Sequence, residues 1–591
     1  MMSTLMRRIL LLALVVIALL AGLYLWMPRG TRAGTNAPST AANAADPDVP
    51  RRGGHLIGVV RGEPRSFNRL VVPDIATRLV AQLTQSSLVR VNQVTQDVEP
   101  WLAERWETTD GLHYVIHLRR GVTFSDGMPL TAADVVFTFQ ALYDPRVGSP
   151  IADAFRLNGK PLEVRAQDDH TLAVTFPSPY GPGLRMLDSP PIFPRHVLES
   201  ALNGGTFRDA WSVAALPETM VGTGPFVFKA YVPGQRVELE RNPRYWRRDD
   251  RGEALPYLDK LTIEITPSQS AEMLKFEAGQ ADVLASELRP EDIPAVRKLA
   301  EASRARLYDL GVSPDTDFLW FNLTPTGPTK VAVDGVPARP WMGRREFRQA
   351  LAHAVDRQQF VNTVLLGAGT PVQGFVTPAN KQWFAPTTPT YEFNLARARA
   401  LLVEVGLRDR NADGILEADD GTPARFTLFT QKGHAIRERA AEVLKADFKV
   451  VGVQVDVSAL DRSALLERVM RGAYDAIYFG TSASDMDPAV ALDFWLSSGA
   501  FHVWNPNQQT PATEWEKEID SLMLRQVATT DPAERKRLFD HVQRIFMNEL
   551  PTLSFAAPNM IIATSPRVVH AQPALLKPQI LWSADTLAVR Q

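Results

Sequence analysis

Residues Ile9–Trp26 form an unbroken apolar run behind Arg7 and Arg8. As a helix rising ~1.5 Å per residue the run would reach ~27 Å, close to the apolar thickness of a bilayer. A cleavable secretion signal has an apolar stretch of roughly 7–15 residues, so the length favours an uncleaved signal anchor over cleavage. Arg29 and Arg32 follow the run as closely as Arg7 and Arg8 precede it, so basic residues alone do not orient it. Leu20–Leu23 has the form of a lipoprotein-processing box with leucine in place of the modified cysteine. The chain has no cysteine anywhere, which excludes lipid attachment there, disulfides, thiolate metal sites and cysteine nucleophiles. From about Gly30 to Pro50 the chain is rich in Ala, Thr, Asn, Gly and Pro without apolar periodicity, which reads as a flexible tether. A folded body begins near Gly53.

With 591 residues, 45% of them hydrophobic, that body can bury large cores, and two to four domains are expected. The 64 basic and 66 acidic residues are spread along the chain, leaving a net charge of -2 and no basic stripe, so nucleic acid is a poor partner. Strand-like runs at 55–61, 114–118, 171–176, 226–230, 237–241 and 261–266 are punctuated by Pro and Gly. Helical spacing appears at 75–88, 345–366, 395–405 and 435–450. Thr131 followed by Asp134 marks a helix start before the apolar run 135–139. Further strands at 426–430, 453–457 and 476–479 each adjoin a helix, the pattern of α/β layers. No period of 20–50 residues repeats, which disfavours a solenoid.

The segment Leu118–Phe139, LRRGVTFSDGMPLTAADVVFTF, closely resembles the characteristic segment of the dipeptide, oligopeptide and nickel solute-binding proteins of family 5. Matching segments follow in the same order: DHTL at Asp169, GTGPF at Gly222, ERNPRYW at Glu240, REFRQALAHAVDR at Arg345 and TDPAER at Thr530. Turn and core chemistry already accounts for most of these residues, Ser125–Gly127 as a turn and Phe347, Ala350, Leu351 and Val355 as a helix face. The resemblance implies an α/β, periplasmic-binding-protein-like clamshell of the class II type, with two lobes and an additional domain in the first. Residues 1–29 would then be the membrane segment and 30–52 the tether. The first lobe would comprise 53–87, 213–312 and 546–591, the additional domain 88–212 and the other lobe 313–545. Such a receptor works as a monomer that closes on a small-molecule or peptide ligand and delivers it to an ABC transporter permease.

The same resemblance supplies site residues. Phe479–Pro488, FGTSASDMDP, is similar to the family loop in which an aspartate meets a peptide α-amino group, and that residue here is Asp485. A carboxylate in a closed cleft pairs strongly with an ammonium and fixes where a peptide begins. Asp487 is the second candidate, and either aspartate also suits an Asx turn before Pro488. Ser482 stands where an aromatic is common, Phe479 where some members carry arginine, and Ile436 near where some carry histidine. Two familiar carboxylate partners are therefore missing. Val72 and Asp74 lie in a segment, 71–77, that corresponds to a cleft-lining loop. Trp383, Trp495 and Trp504 are candidates for aromatic walls or for ordinary core packing.

Chemistry beyond binding finds little support. Asp409, Asn411, Asp413, Gly414 and Asp420 partly resemble a calcium loop, yet their composition equally suits a solvated connection, and no metal or other cofactor is expected. The ten histidines form no HExxH, and neither a GxSxG elbow nor a phosphate-binding glycine loop occurs. No nucleophile, base and orienting group stand together, so an enzyme is not expected. A membrane-anchored sensor built on the same clamshell is the alternative to an importer component.

Overall fold

Short strands alternating with amphipathic helices assemble into two large, separately packed cores with two smaller apolar clusters beside them. The computed structural model describes residues 50–332, 337–480 and 485–590. Ile9–Trp26, most of the tether and Ser482 lie outside the described residues. Among the described residues no helix is long and apolar enough to cross a membrane.

The first core gathers side chains from Leu56 to Val283 and again from Met560 to Val589. Its main sheet has four strands, in the order His55–Arg61, Lys260–Thr266, Arg236–Arg241, Phe226–Val232. His55–Arg61 runs parallel to Lys260–Thr266 and the other pairs are antiparallel. A second, all-antiparallel sheet carries Ala103–Glu107, His113–Leu118, Thr171–Thr175 and Glu163–Asp168. The helix Ala132–Tyr143 begins as the sequence predicts: the Asp134 carboxylate accepts from the Thr131 N–H at 2.9 Å and hydroxyl at 3.1 Å.

The second core runs from Phe318 to Ala556. Its sheet is ordered Gln454–Leu460, Arg425–Gln431, Ala476–Gly480, Asp317–Phe321, Thr552–Ser554. The first three strands are mutually parallel, and the helix Ala435–Val450 makes the crossover between Arg425–Gln431 and Gln454–Leu460. Ala476–Gly480 is buried at every position, as expected for a parallel strand covered on both faces. The helical pattern at 345–366 resolves into two helices, Arg345–Ala354 and Arg357–Val364. Asp356 breaks it, because its side chain accepts from the N–H groups of Gln358 and Gln359 and so starts a new helix.

The chain passes between the cores along adjacent strands. Arg306–Val312 pairs with Ala556–Thr564, and five residues after Val312 the chain re-enters a strand, Asp317–Phe321, that pairs with Thr552–Ser554. At the crossing Ser313 donates its N–H to the Pro558 carbonyl at 2.9 Å, and the Thr316 hydroxyl donates to the Ala556 carbonyl at 3.1 Å. Two thin backbone connections between two large cores are the mechanical requirement for a hinge.

Candidate functional site

In parallel α/β sheets the crevice beyond the carboxyl ends of the strands is where ligands bind. The fully buried strand Ala476–Gly480 ends there and leads to Asp485 and Asp487. Both aspartates make the short-range turn that their residue type favours: Asp485 accepts from the Asp487 N–H at 2.8 Å, and Asp487 accepts from the Ala489 N–H at 2.9 Å. Asn380 fastens the same segment by donating to the Met486 carbonyl at 2.8 Å.

Their partners differ. Asp487, 7% exposed, is gripped by both terminal nitrogens of Arg535 at 2.8 and 2.6 Å. Arg535 in turn lies over the Trp383 ring at 4.8 Å, so this pair is a fixture of its own core. Asp485 instead receives Arg185 Nε at 2.7 and 2.8 Å, across 300 residues of sequence. Arg185 belongs to a short helix, Gly183–Met186, whose neighbours Leu184, Met186 and Leu187 pack on the first core. Its remaining nitrogens donate to the Gln96 carbonyl at 2.6 Å and side-chain oxygen at 3.0 Å, which fixes its direction. Arg185 and Asp485 therefore join elements of the two cores.

The cores also meet beside this pair. The Gly181 N–H donates to the Val527 carbonyl at 2.7 Å, and a Cβ at Gly181 would lie 2.3 Å from the Thr529 carbonyl, an approach only glycine permits. Burial pushes the Asp485 carboxyl above the usual range, with Arg185 opposing the shift. Burial likewise lifts the half-buried Asp188 to about 7, opposed by the Val91 N–H and reinforced by the charge of Asp485. Tyr180, facing both Asp487 and Asp485, is raised to about 12, mainly by burial.

A cavity of about 240 Å³ opens at Asp485 and Asp487, walled by Phe375, Phe494, Trp495 and Phe539. Phe375 and Phe494 stack at 3.8 Å, and Trp495 meets Phe494 edge-on at 5.1 Å. The wall is thus pre-formed and apolar, with carboxylates at its rim, the composition expected of a small-molecule site.

Of the residues singled out in the sequence, Asp485, Asp487 and Trp495 come together at this cavity. Trp383 and Trp504 do not line it. Trp383 is 2% exposed beneath Arg535, and Trp504, 1% exposed, donates Nε1 to Glu516 at 3.1 Å. Val72 is half-buried in a loop of the first core, and Asp74 caps the helix Ile75–Thr84 by accepting from the Thr77 N–H at 2.7 Å. Arg185 carried no sequence signal. Arg437 was also overlooked: its guanidinium lies 3.9 Å over the Phe479 ring and forks onto Asp317, so the helix next door brings a cation to a position that lacks its own arginine. In the loop weighed for calcium, Asp409 and Asp413 are joined by Glu417 rather than Asp420, with carboxylate oxygens within 4.8 Å of one another. Each of the three already accepts from a backbone N–H of the loop, which accounts for the cluster as turn chemistry.

Comparison with known proteins places this geometry. The profile of the bacterial extracellular solute-binding proteins, family 5 Middle, matches residues 97–502. A probable ABC transporter-binding protein of Deinococcus radiodurans is 28% identical over 85% of this chain and 86% of its own. The oligopeptide-binding protein AppA of Bacillus subtilis is 27% identical over 86% and 87%. The crystal structure of the ABC transporter substrate-binding protein CtaP of Listeria monocytogenes superposes with a TM-score of 0.73 at 24% identity, covering 92% of this chain and all of that one. The fold is accordingly the two-lobed α/β clamshell of these receptors, which bind rather than transform their ligands. The chain belongs to the bacterial extracellular solute-binding proteins of family 5, the extracytoplasmic binding components of ABC transporters.

Proposed function

We propose that this receptor captures a peptide or similar amine-bearing solute between its two lobes and hands it to an ABC permease. The observation that carries this reading is Asp485, a carboxylate at the mouth of an aromatic cavity that already holds a cation from the opposite lobe. Arg185 acts there as a resident counter-ion, and a ligand ammonium takes its place. A cation presented from across the cleft favours the closed state, because it meets Asp485 only when the lobes approach. The aromatic wall accepts an apolar side chain next to that ammonium. The likeness to AppA, whose name records oligopeptide binding, supports the same ligand class. The membrane segment at Ile9–Trp26 would keep the receptor beside its permease on the outer face of the cytoplasmic membrane.

Native mass spectrometry of the protein as purified, followed by calorimetric titration with tri-leucine and N-acetyl-tri-leucine, tests the proposal. Tri-leucine binding that the acetyl cap weakens supports it. A co-purified ligand without an amine, or equal affinity for both peptides, contradicts it.

A further inference from the structure

A second cavity, of about 190 Å³, lies in the first core and shares no lining residue with the Asp485 cavity. One side is formed by the end of the strand His55–Arg61, one by the helix Ile75–Thr84 and one by residues 577–581. Its apolar surface comes from Ile75, Leu79, Ile580 and Leu581, and Ile75 is 61% exposed although it sits on a structured helix against this cavity. Its charged lining consists of Arg61, Arg78 and Lys577, with no acidic residue among them.

These three cations are not equivalent. Arg61 is held by Gln269 at 3.0 Å, Ser286 at 2.6 Å and Glu272 at 3.5 Å. Lys577 faces Glu287 at 3.5 Å. The half-buried Arg78 side chain has no hydrogen bond or ion pair among the described residues. Nearby, the half-buried Arg69 also lacks a side-chain hydrogen bond, and its Nη1 is fully buried without a partner. Arg69 is close enough to be affected by the Arg78 charge, and burial holds its pKa down to about 10. The neighbouring acid, Asp74, is already occupied by the Thr77 N–H and hydroxyl and by Arg65. Arg78, which lines the cavity, is thus a partly desolvated guanidinium with no hydrogen-bonded counter-ion and a second cation close by, which is unfavourable for the protein alone. An oxyanion would remove that penalty, and a guanidinium matches a carboxylate through two parallel N–H donors.

We infer that this cavity is a second binding site, for a small amphipathic carboxylate whose charged end is met by Arg78 and whose aliphatic part lies on Ile75, Leu79 and Ile580. The inference does not depend on the cargo at Asp485, since the two cavities are separate.

The test uses the full chain and four probes at constant ionic strength: hexanoate, acetate, hexan-1-ol and inorganic phosphate, each titrated by calorimetry. Hexanoate is expected to bind at least about tenfold more tightly than acetate or hexanol, because only it offers both charge and tail. Arg78→Gln is expected to weaken hexanoate about tenfold while leaving hexanol unchanged, and Arg78→Lys to fall between, keeping charge but losing the fork. Without any probe, the melting temperature of Arg78→Gln should equal or exceed that of the parent, because a half-buried charge without an ion-pair partner has been removed. Hexanol binding as tightly as hexanoate, phosphate outcompeting hexanoate, or undiminished hexanoate binding by both Arg78 variants would overturn the inference. So would an Arg78→Gln protein that melts well below the parent, since that marks a structural cation.

Discussion

Asp485 and Asp487 lie two residues apart in one loop, make the same kind of turn and each bind one arginine, yet they belong to different parts of the molecule. Asp487 and Arg535 are both almost fully buried, and both belong to the second core. Asp485 and Arg185 are more exposed, at 20% and 10% of their side chains, and they join one core to the other. The first pair holds a lobe together and the second exists only while the lobes are near. Residue type and turn chemistry are shared, so the difference lies in which core the partner is built on.

This contrast can be broken most directly at Arg535. Arg535→Ala leaves Asp487 buried without its partner, and a loss of about 3–5 kcal/mol of unfolding free energy is expected in urea titrations. A loss below about 1 kcal/mol would mean that Asp487 finds water, and that the two pairs are alike after all. Asp485→Asn should behave in the opposite way. Its ligand-free stability should stay within about 1 kcal/mol of the parent, while tri-leucine affinity falls about tenfold to a hundredfold, the range for a charge-assisted hydrogen bond. Affinity for the N-acetylated peptide should not change. If stability falls and affinity does not, Asp485 is a structural residue like its neighbour.

A smaller effect separates the pairs by pH. Asp188, beside Arg185 and Asp485, keeps its proton to about pH 7 in the folded protein, whereas an unfolded aspartate releases it near pH 4. Between those values the folded state binds the extra proton, so stability falls as pH rises, by at most about 1.4 kcal/mol per pH unit for one proton. Asp188→Asn should flatten that slope in denaturant titrations between pH 4 and pH 7, and an unchanged slope would place its origin elsewhere.

The elements of the fold were largely legible because they are encoded locally. The Thr131–Asp134 cap, the crossover from Arg425–Gln431 through Ala435–Val450, and the buried strand Ala476–Gly480 each announce themselves within a few residues. The break at Asp356 was missed because apolar spacing continues across it, while a cap needs only one side chain. The site was legible on one side only. Asp485 sits in a recognisable loop, but Arg185, 300 residues away, follows an unremarkable Pro-Gly turn, and its role arises only from packing. The same holds for Arg437 over Phe479 and for Arg78, whose significance is the lack of a partner, a property no local pattern records. Of the three tryptophans that were open to a wall or a core role, Trp383 and Trp504 lie buried away from the cavity and Trp495 lines it, a distinction set by neighbours rather than by residue type.

The central claim is that a cation at Asp485 draws two separately built lobes together. The absence of cysteine allows spin labels to be placed uniquely, at the exposed positions Leu216 and Met470, one on each side of the cleft, through Leu216→Cys and Met470→Cys. Pulsed electron resonance would then read the distance between lobes in the ligand-free protein, in its Arg185→Gln variant, and in that variant saturated with tri-leucine. The account predicts a longer, broader distribution when Arg185 is replaced and a return to the short distance when the peptide ammonium supplies the missing cation. Superimposable distributions in all three samples would contradict it.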